Sequence, residues 1–382
     1  MNDLLTPTLP LDGTYDSRFA AVRDAFVVNF EQDGDVGASV AVVVDGRLVV
    51  DLWGGHADKE RTRPWQQDTI VVQMSVAKGF NAIVMQKLFD LGLLELDAPV
   101  ARYWPEFAQN GKAAITIRDV ITHRSGLEVV DDPMWPGAVY DWNAFVGALE
   151  RQAPSHSPGT FPAYHAITLG FLTGELVRRV TGKSYGRVLR ELVTAPLGLD
   201  YHVGLSRPDL ARCARFIPGQ PFADPAYAPP EQTPLSARTR TQFDPASDDD
   251  SNSAQYRMAE IPSANGHGSA RAVAGFYGRL ALDDGAVVSS EALRRVAEVQ
   301  WSGPDAILTH NIHMGLGVRL NSPDVYMGPN AQAWGHSGAG GSLGFVDPVA
   351  RLGFSYAMNL ARPTRNNGPR SRRLIEAVYA CL

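Results

Sequence analysis

A serine and a lysine three positions apart stand in the stretch VVQMSVAKGF, residues 71 to 80. The chain has five lysines, and among them only Lys78 has a serine, Ser75, three positions before it. Residues at this spacing share a helix face, so Lys78 could accept the Ser75 proton if burial lowers the pKa of its amine. Bringing a lysine from about 10.4 to about 7–8 costs roughly 3–5 kcal/mol. The alternative is that Ser75 caps a helix and Lys78 is a solvated charge.

Hydrophobic periodicity predicts the elements that would position this pair. Residues 39–53 are rich in Val and Leu around Asp45-Gly46, which predicts an antiparallel hairpin. A helical pattern runs from Ser75 to a stop at Gly92, and another from Leu169 to Gly182. Strand patterns return near the end and precede a last helix from about residue 371. Strands at both ends predict one sheet closed by both termini, with a helical lobe inserted between them.

A long segment between about residues 218 and 267 is dense in Pro, Asp and Ser. This composition predicts a surface excursion with little regular structure. Loops of such length often cover a binding site, so we expect a lid or an entrance wall here.

Composition limits the class of partner. The 382 residues are 45% apolar, enough for two lobes, and a net charge of −6 without a basic run disfavours nucleic acid and anionic membranes. We expect a small neutral or hydrophobic ligand; the oligomeric state is not predictable.

Cys213 and Cys381 indicate neither a disulfide framework nor a zinc site. The first residues contain no basic leader, and no apolar run approaches ~20 residues, so we expect a soluble cytoplasmic protein.

The Ser75 motif resembles the S-x-x-K of the serine β-lactamase and penicillin-binding-protein superfamily. The chain looks closest to the family VIII carboxylesterases, which have the class C β-lactamase fold. The resemblance extends through LGLLELDAPVARYWPEF, ITIRDVITHRSGL, PGTFPAYHAITLGFLTGELVRRVTGKS and WGHSGAGGSLGFVDP. It implies a β-lactamase/transpeptidase-like α/β (α+β) fold, with an antiparallel sheet between helices in three layers and an inserted helical lobe. Residues 1–74 and 285–382 would form the sheet domain and residues 75–284 the mostly helical domain, with the active site between them.

The same resemblance implies further site residues. Tyr164 would share the base role with Lys78, and because the two titrate as a coupled unit, the sequence leaves open which of them holds the proton at rest. His336, Ser337 and Gly338 fall where the lactamases have K-T-G and would border the substrate. The backbone N–H groups of Ser75 and Ala339 would form the oxyanion hole. Trp135, within MWPGAVYDW, could wall an acyl pocket or pack between the lobes.

Two departures from the antibiotic-hydrolysing pattern favour neutral esters. His336 replaces the K-T-G lysine, which weakens attraction for a β-lactam carboxylate, and Ala166 replaces an asparagine. We therefore expect a serine carboxylesterase that acts on short-chain or small aromatic esters through an acyl-Ser75 intermediate, without metal or cofactor. The alternatives are a β-lactamase, a D-amino-acid peptidase-like hydrolase or an acyltransferase with the same acyl-enzyme. A non-catalytic peptide-binding relative would not need Ser75, Lys78 and Tyr164 together.

Other motifs are weaker. Ser184 lies in a G-x-S-x-G pattern, but it follows a helical stripe rather than the strand that a nucleophile elbow needs, and we expect it to cap a helix. Ser337 lacks the downstream histidine of that architecture. His310 and His313 have no third ligand nearby, and His123 is expected to brace a turn.

Overall fold

The computed structural model describes residues 9–132, 134–135, 137–229, 231–241, 251–364 and 367–382. Within these residues the strands are β1 (Leu11–Tyr15), β2 (Gly37–Val44), β3 (Arg47–Gly55), β4 (Val71–Val72), β5 (Tyr201–Val203), β6 (Ile217–Pro218), β7 (Gly266–Gly268), β8 (Trp301–Pro304), β9 (Asn311–Met314), β10 (Arg319–Leu320), β11 (Trp334–Ser337), β12 (Leu343–Asp347), β13 (Leu352–Met358) and β14 (Leu360–Ala361).

The central element is an antiparallel sheet built from both ends of the chain. Its nine strands lie in the order β1-β3-β2-β13-β12-β11-β10-β9-β8. The predicted hairpin is β2–β3, and its turn residues Asp45 and Gly46 both have positive φ, as a tight turn of this kind requires. Strand β13, from the end of the chain, pairs with β2 from its beginning. The two termini therefore close one sheet, as the sequence predicts.

The helices of the described residues are α1 (Ala20–Asp33), α2 (Ala77–Asp90), α3 (Ile117–Ile121), α4 (Trp142–Arg151), α5 (Thr168–Thr181), α6 (Tyr185–Leu189), α7 (Arg207–Arg212), α8 (Pro234–Thr241), α9 (Ala254–Met258), α10 (Ala270–Leu280), α11 (Ser290–Ala297) and α12 (Gly368–Tyr379). The two periodic segments of the sequence correspond to α2 and α5. Gly92 follows α2 with a positive φ, and Gly182 caps α5 in the left-handed region, so both predicted stops are confirmed.

Helices cover both faces of the sheet. Helix α10 packs on β2, β12 and β13, while α1 and α12 pack together on the opposite face. On that second face Tyr356 of β13 donates a hydrogen bond to Asp35, which follows α1 and forms an ion pair with Arg370 of α12. The helices α2 to α6 lie in the chain between strands β1–β3 and strands β8–β13 of the large sheet, and they form the helical lobe.

The boundary between the helical domain and the sheet domain differs from the one predicted at residue 284. The sequence assigns residues up to 284 to the helical domain, but α10 lies directly on the sheet. The close approach depends on glycines: a Cβ at Gly353 would lie 2.1 Å from the backbone nitrogen of Gly278 on α10. Residues 270–280 therefore belong with the sheet, because their helix buries its apolar face there.

The segment from 218 to 267 is more ordered than its composition predicts. It contains α8, α9 and the strand β7, which is the central strand of a small sheet with β4 and β5. The buried Asn265 side chain bonds the backbone at Ile261, Tyr256 and Ala259, which folds residues 256–265 into the interior. The prediction of little regular structure is wrong for these residues; its Asp- and Ser-rich centre, residues 242–250, lies outside the described residues.

In the described part of the chain, no helix combines the length and the apolar composition needed to cross a bilayer. A cytoplasmic location stays a prediction from the sequence.

The buried ion pair on the α1–α12 face should contribute strongly to stability. Arg370 and Asp35 are 2% and 3% exposed, and their N···O distance is 2.5 Å. Replacing Arg370 with Met leaves the Asp35 carboxylate buried without its cation, so we expect the free energy of unfolding to fall by about 3–5 kcal/mol in urea denaturation. The matched control is Arg372→Met on the same helix, which breaks an exposed pair with Glu376 and should change stability by less than about 0.5 kcal/mol. Equal effects of the two substitutions would contradict this account.

Candidate active site

Ser75 stands in a short 3₁₀ turn, Met74–Val76, that leads directly into α2. Met74 has a φ of 49°, an uncommon conformation for a residue with a side chain. The preceding residue, Gln73, anchors the turn: its N–H donates to the Gly266 carbonyl at 2.8 Å, and its carbonyl accepts from Ser342 Oγ at 3.0 Å. Strand β7 and the loop after β11 thus hold the turn, which presents a partly exposed Ser75 hydroxyl.

Lys78 lies one turn into α2 and is fully buried. Its Nζ is 3.2 Å from Ser75 Oγ and 2.9 Å from each of two backbone carbonyl oxygens, those of Ala166 and Ser263. No carboxylate forms an ion pair with it among the described residues, and none contributes to its pKa. Burial therefore lowers the pKa of Lys78 well below its ordinary value.

The two carbonyl contacts determine where the lone pair of a neutral Lys78 amine points. A carbonyl oxygen can only accept, so each of the two must receive an N–H of Lys78. A neutral amine has two N–H groups, and both are then in use. The remaining direction, toward Ser75 Oγ, is left for the nitrogen lone pair. The geometry therefore suits proton transfer from the Ser75 hydroxyl to Lys78.

Tyr164 faces the same pair from the helical lobe. Its ring centroid is 4.6 Å from Lys78 Nζ, and its phenol group hydrogen-bonds to Ser75. Burial raises the pKa of Tyr164, while the hydrogen bond with Ser75 lowers it by a smaller amount. A protonated phenol is thus the resting form. If the Ser75 hydroxyl donates to Lys78, Tyr164 donates to Ser75 Oγ.

His123 braces the Tyr164 segment, in agreement with its predicted role as a brace. Its carbonyl accepts from the Ala163 N–H at 3.0 Å, and its Nδ1 accepts from the His165 N–H at 3.0 Å. The residue is fully buried with a φ of 61°. Tyr164, between the two bonded amides, is fixed by both contacts.

Asp305 holds the Tyr164 backbone from the other side. The residue lies in the loop between β8 and β9 and is 2% exposed. Its Oδ1 accepts from the backbone N–H of Tyr164 at 3.3 Å and from those of Ile307 and Leu308 at 2.9 and 2.8 Å. A loop of the sheet therefore attaches directly to the catalytic candidate of the helical lobe.

His336 stands on β11 and is uncharged. Its Nδ1 is 2.7 Å from the Ser337 carbonyl, so that nitrogen must carry the hydrogen. Burial lowers the pKa of His336 well below its ordinary value. Its ring centroid is 6.2 Å from that of Tyr164. The position that holds a lysine in K-T-G thus borders the site without a charge.

The end of β11 also approaches the Ser75 turn closely. A Cβ at Gly338 would lie 2.2 Å from the Gln73 carbonyl oxygen, so a side chain at this position would push the strand away. The next residue, Ala339, is exposed, and its N–H makes no hydrogen bond within the described residues. This N–H and those of the first helical turn at Ser75 are the available donors for an oxyanion.

Several sequence candidates lie apart from this group. Trp135 is 58% exposed, and no described contact connects it to Ser75 or Tyr164. Trp142 packs on Phe171 and bonds Glu175, so it joins α4 to α5. Ser184 stands at the N-cap position of α6, as predicted, where its hydroxyl donates to Glu260 rather than to a helix amide.

The histidine pair and the thiols also lie outside the group. His310 bonds the Leu308 carbonyl, and the Nδ1 of His313 is 3.3 Å from Ser302 Oγ. The described residues contain no cluster of three or more His, Cys, Asp or Glu suited to a metal. Cys213 and Cys381 are unpaired thiols.

Helix α8 of the 218–267 segment lies beside Tyr164. Its Leu235 packs on a small cluster formed by Ala163, Tyr164 and Ile307. Arg238, one turn further, forms an ion pair with Asp131, which precedes the Trp135 segment. This helix is therefore a second described part of the segment in contact with the candidate site, besides the carbonyls of Ser263 and Gly266.

Sequence reasoning missed two residues that build the site, Ser263 and Asp305. Ser263 acts through its carbonyl, which any residue supplies, and Asp305 lies in a loop with ordinary turn composition.

Comparison with known proteins gives concordant results. A family model described as Beta-lactamase matches residues 24–379. The esterase/beta-lactamase LipL of Mycobacterium tuberculosis is 34% identical over 359 residues, which cover 91% of this chain and 82% of that protein.

Two solved structures are similar over almost the whole length. A family VIII carboxylesterase is 37% identical with a TM-score of 0.90, and the match covers 97% of this chain and 100% of that one. A penicillin-binding protein homolog from Caulobacter crescentus is 39% identical with a TM-score of 0.89 and the same coverage. The fold predicted from the sequence is thereby confirmed.

The buried amine of Lys78 predicts a distinctive pH dependence of stability. Its pKa in the folded protein lies below that in the unfolded chain, so between these two values the unfolded chain binds the additional proton. Stability of the wild type then rises with pH by up to about 1.4 kcal/mol per unit from this group. Lys78→Met removes the contribution, so the stability of this variant relative to wild type should be greatest at neutral pH and should decline toward pH 10.

Urea denaturation at several pH values between about 7 and 10 measures this difference directly. Lys59→Met, at an exposed position, is the matched control for loss of a lysine. A difference between Lys78→Met and wild type that stays constant with pH would show that the amine remains protonated in the folded protein.

Proposed function

The chain belongs to the beta-lactamase family, and from this premise we propose that it is a serine carboxylesterase that hydrolyses short-chain or small aromatic esters through an acyl-Ser75 intermediate. The observation that carries the proposal is the Lys78 amine, which is buried without a carboxylate and 3.2 Å from Ser75 Oγ. Similarity to LipL and to a family VIII carboxylesterase supports ester hydrolysis.

In the acylation step, Ser75 Oγ attacks the ester carbonyl while its proton passes to neutral Lys78. The N–H groups of Ser75 and Ala339 stabilise the oxyanion. When the carbon–oxygen bond to the alcohol breaks, Tyr164 gives its proton to the leaving alkoxide. The Lys78 ammonium then returns a proton to the Tyr164 phenolate, so the proton lost by Ser75 is balanced by the one gained by the alcohol.

Deacylation runs through the same groups in the opposite sense. Water gives a proton to Lys78 as its oxygen attacks the acyl carbon, and Tyr164 protonates Ser75 Oγ as the acyl bond breaks. Lys78 again returns its proton to Tyr164. The products are the carboxylic acid and the original state of the three groups. No step requires a metal or a cofactor.

The charge distribution favours neutral substrates over β-lactams. A β-lactam antibiotic carries a carboxylate, and the K-T-G lysine that would attract it is here the neutral His336. Ala166 contributes its carbonyl to Lys78 and has no amide for an acylamino side chain. The partner we propose is a small ester, not nucleic acid or a membrane.

The acyl-enzyme is directly testable with p-nitrophenyl butyrate. We expect a burst of nitrophenol equal to the enzyme concentration and an acyl adduct on Ser75 in peptide mass spectrometry. Ser75→Ala should abolish both, and Lys78→Ala or Tyr164→Phe should lower kcat by at least about 10²-fold, since each removes a proton-transfer group. Ser184→Ala is the matched control, because Ser184 lies in the competing G-x-S-x-G motif.

Undiminished turnover in Ser75→Ala would refute the assignment. A chromogenic cephalosporin assayed in parallel separates the second candidate: a higher kcat/KM for the cephalosporin than for the butyrate would make β-lactam hydrolysis the main reaction.

Helix α8 should influence acyl-chain preference, because Leu235 packs on the cluster that contains Tyr164. In Leu235→Ala we expect kcat/KM to rise for long acyl chains relative to acetate, while activity on acetate changes by less than about threefold. A series of p-nitrophenyl esters from acetate to decanoate measures this ratio. Leu91→Ala, at an exposed site after α2, is the control. An unchanged chain-length profile would remove α8 from the substrate entrance.

A further inference from the structure

The turn that joins β11 to β12 contains Ala339 and is built mainly from glycine. Residues 338–341 read Gly-Ala-Gly-Gly. Gly340 and Gly341 have φ angles of 94° and 114°, and the Gly341 N–H donates to the Gly338 carbonyl at 3.1 Å. Glycine has the greatest backbone freedom of any residue, so the local sequence gives the turn little preference for one conformation. Contacts from outside the turn must restrict it.

Arg370 of α12 supplies such a contact. Its Nη2 donates to the Gly340 carbonyl oxygen at 2.9 Å, and the backbone N–H of Arg362 donates to the same oxygen at 3.1 Å. Among the described residues, no other side chain hydrogen-bonds to residues 338–341. A charged donor makes a stronger hydrogen bond than a neutral one, so Arg370 is the main anchor of this carbonyl.

The same guanidinium is fixed by its ion pair. Nη1 of Arg370 donates to Asp35 and, at 3.0 Å, to the Leu360 carbonyl. Arg370 and Asp35 are both buried, and Tyr356 donates a further hydrogen bond to the Asp35 carboxylate. Because the guanidinium is planar, the contacts of Nη1 also fix the direction of Nη2. The buried pair on the α1–α12 face therefore reaches the turn beside Ser75.

The planarity of the peptide bond connects the Gly340 carbonyl to the Ala339 N–H. The Gly340 carbonyl and the Gly341 N–H belong to one planar peptide unit, so a contact that holds the oxygen also sets the direction of the N–H. That N–H holds the Gly338 carbonyl, which shares another peptide unit with the Ala339 N–H. In a trans peptide the N–H points opposite to the carbonyl. The contact with Arg370 thereby restricts the direction of the Ala339 N–H.

We propose that Arg370 is a positioning residue of the oxyanion hole. It keeps the turn in the conformation that directs the Ala339 N–H toward the oxyanion formed when Ser75 attacks an ester carbonyl. No bond is made or broken at Arg370, and its charge is balanced by Asp35, so its contribution is geometric. The inference rests on the esterase proposed above.

Arg370→Lys separates the anchor from the ion pair. A lysine ends in one nitrogen, which can pair with Asp35 but cannot also take the place of Nη2 beside Gly340. An oxyanion donor acts mainly in the transition state, and complete loss of one donor typically costs about 10²–10³-fold in kcat. Because the N–H is misdirected rather than removed, we expect kcat/KM for p-nitrophenyl butyrate to fall by about 10- to 100-fold.

Butylboronic acid distinguishes a defect of the oxyanion hole from general damage to the fold. The Ser75 oxygen adds to boron while its proton passes to Lys78, and one oxygen of the tetrahedral boronate occupies the oxyanion position. In Arg370→Lys the inhibition constant of butylboronic acid should rise by the same factor as kcat/KM falls, because both depend on the same N–H groups.

Hydrogen exchange reports on the turn without any substrate. Mass spectrometry of a peptide that contains residues 336–344 should show faster amide exchange in Arg370→Lys than in the wild type. The reason is that the Gly341 N–H is held less firmly against the Gly338 carbonyl once the Gly340 oxygen loses its anchor.

Two variants control for the loss of a guanidinium and for the loss of stability. Arg373→Lys lies on the same helix and changes a guanidinium that pairs with Asp33, so it should change kcat/KM by less than about twofold. Asp35→Asn keeps an oxygen for Nη1 but removes the counter-ion. Its urea midpoint should fall, while kcat/KM corrected for the folded fraction should stay within about threefold of the wild type.

Equal losses of kcat/KM in Arg370→Lys and Asp35→Asn would overturn the inference, since reduced stability would then explain both. An unchanged inhibition constant for butylboronic acid in Arg370→Lys would overturn it as well. If the wild type shows no Ser75-dependent hydrolysis of p-nitrophenyl butyrate, the proposed function fails, and hydrogen exchange decides on the anchor by itself. Faster exchange of residues 336–344 in Arg370→Lys then supports the anchor, and unchanged exchange overturns it.

Discussion

The site depends on one constraint: the Lys78 amine is removed from water and given no carboxylate. In water an ammonium is the stable form, and a neighbouring carboxylate would keep it so. Burial among neutral groups acts against the charged form and lowers the pKa of Lys78 well below its ordinary value. The two carbonyls of Ala166 and Ser263 then take both hydrogens of the neutral amine and leave its lone pair facing Ser75. The absence of water and of a carboxylate around Lys78 therefore contributes to the activation of Ser75 as much as the two carbonyl contacts do.

The rest of the fold can be understood as support for that arrangement. Ala166 comes from the helical lobe, Ser263 from the folded end of the 218–267 segment, and Lys78 from α2, so the amine lies where three separate parts of the chain meet. Gly338 lets the end of β11 approach the Ser75 turn, and Asp305 reaches from a sheet loop to the Tyr164 amide. The contacts of Gly338 and Asp305 join the sheet to the groups around Ser75 and Tyr164, so the geometry of the site depends on both the sheet and the helical lobe.

The sequence allowed the nucleophile, the lysine, the hairpin and the two long helices to be predicted, because each has a local signature: S-x-x-K spacing, an Asp-Gly turn, and apolar periodicity ended by glycine. Prediction from the sequence failed where contacts between residues far apart in the chain determine the structure. Residues 254–268 have a loop-like composition, yet Asn265 folds them inward, and α10 joins the sheet through glycines that are far apart in sequence. Ser263 contributes only a carbonyl oxygen. Every residue type has this atom, so the sequence does not indicate which residue supplies it.

The site concentrates features that cost stability. Met74 and His123 have positive φ, at about 1–3 kcal/mol each. Lys78 is buried without a carboxylate, and the Oδ2 of Asp305 is buried without a hydrogen bond. On the α1–α12 face the same chain pairs its buried charges: Arg370 meets Asp35, and Tyr356 adds a hydrogen bond. The contrast argues that the unpaired groups are not a failure of packing. The chain pairs a buried guanidinium with a carboxylate on the α1–α12 face yet gives the buried Lys78 amine only carbonyl and hydroxyl partners, and this difference keeps the pKa of Lys78 low beside Ser75.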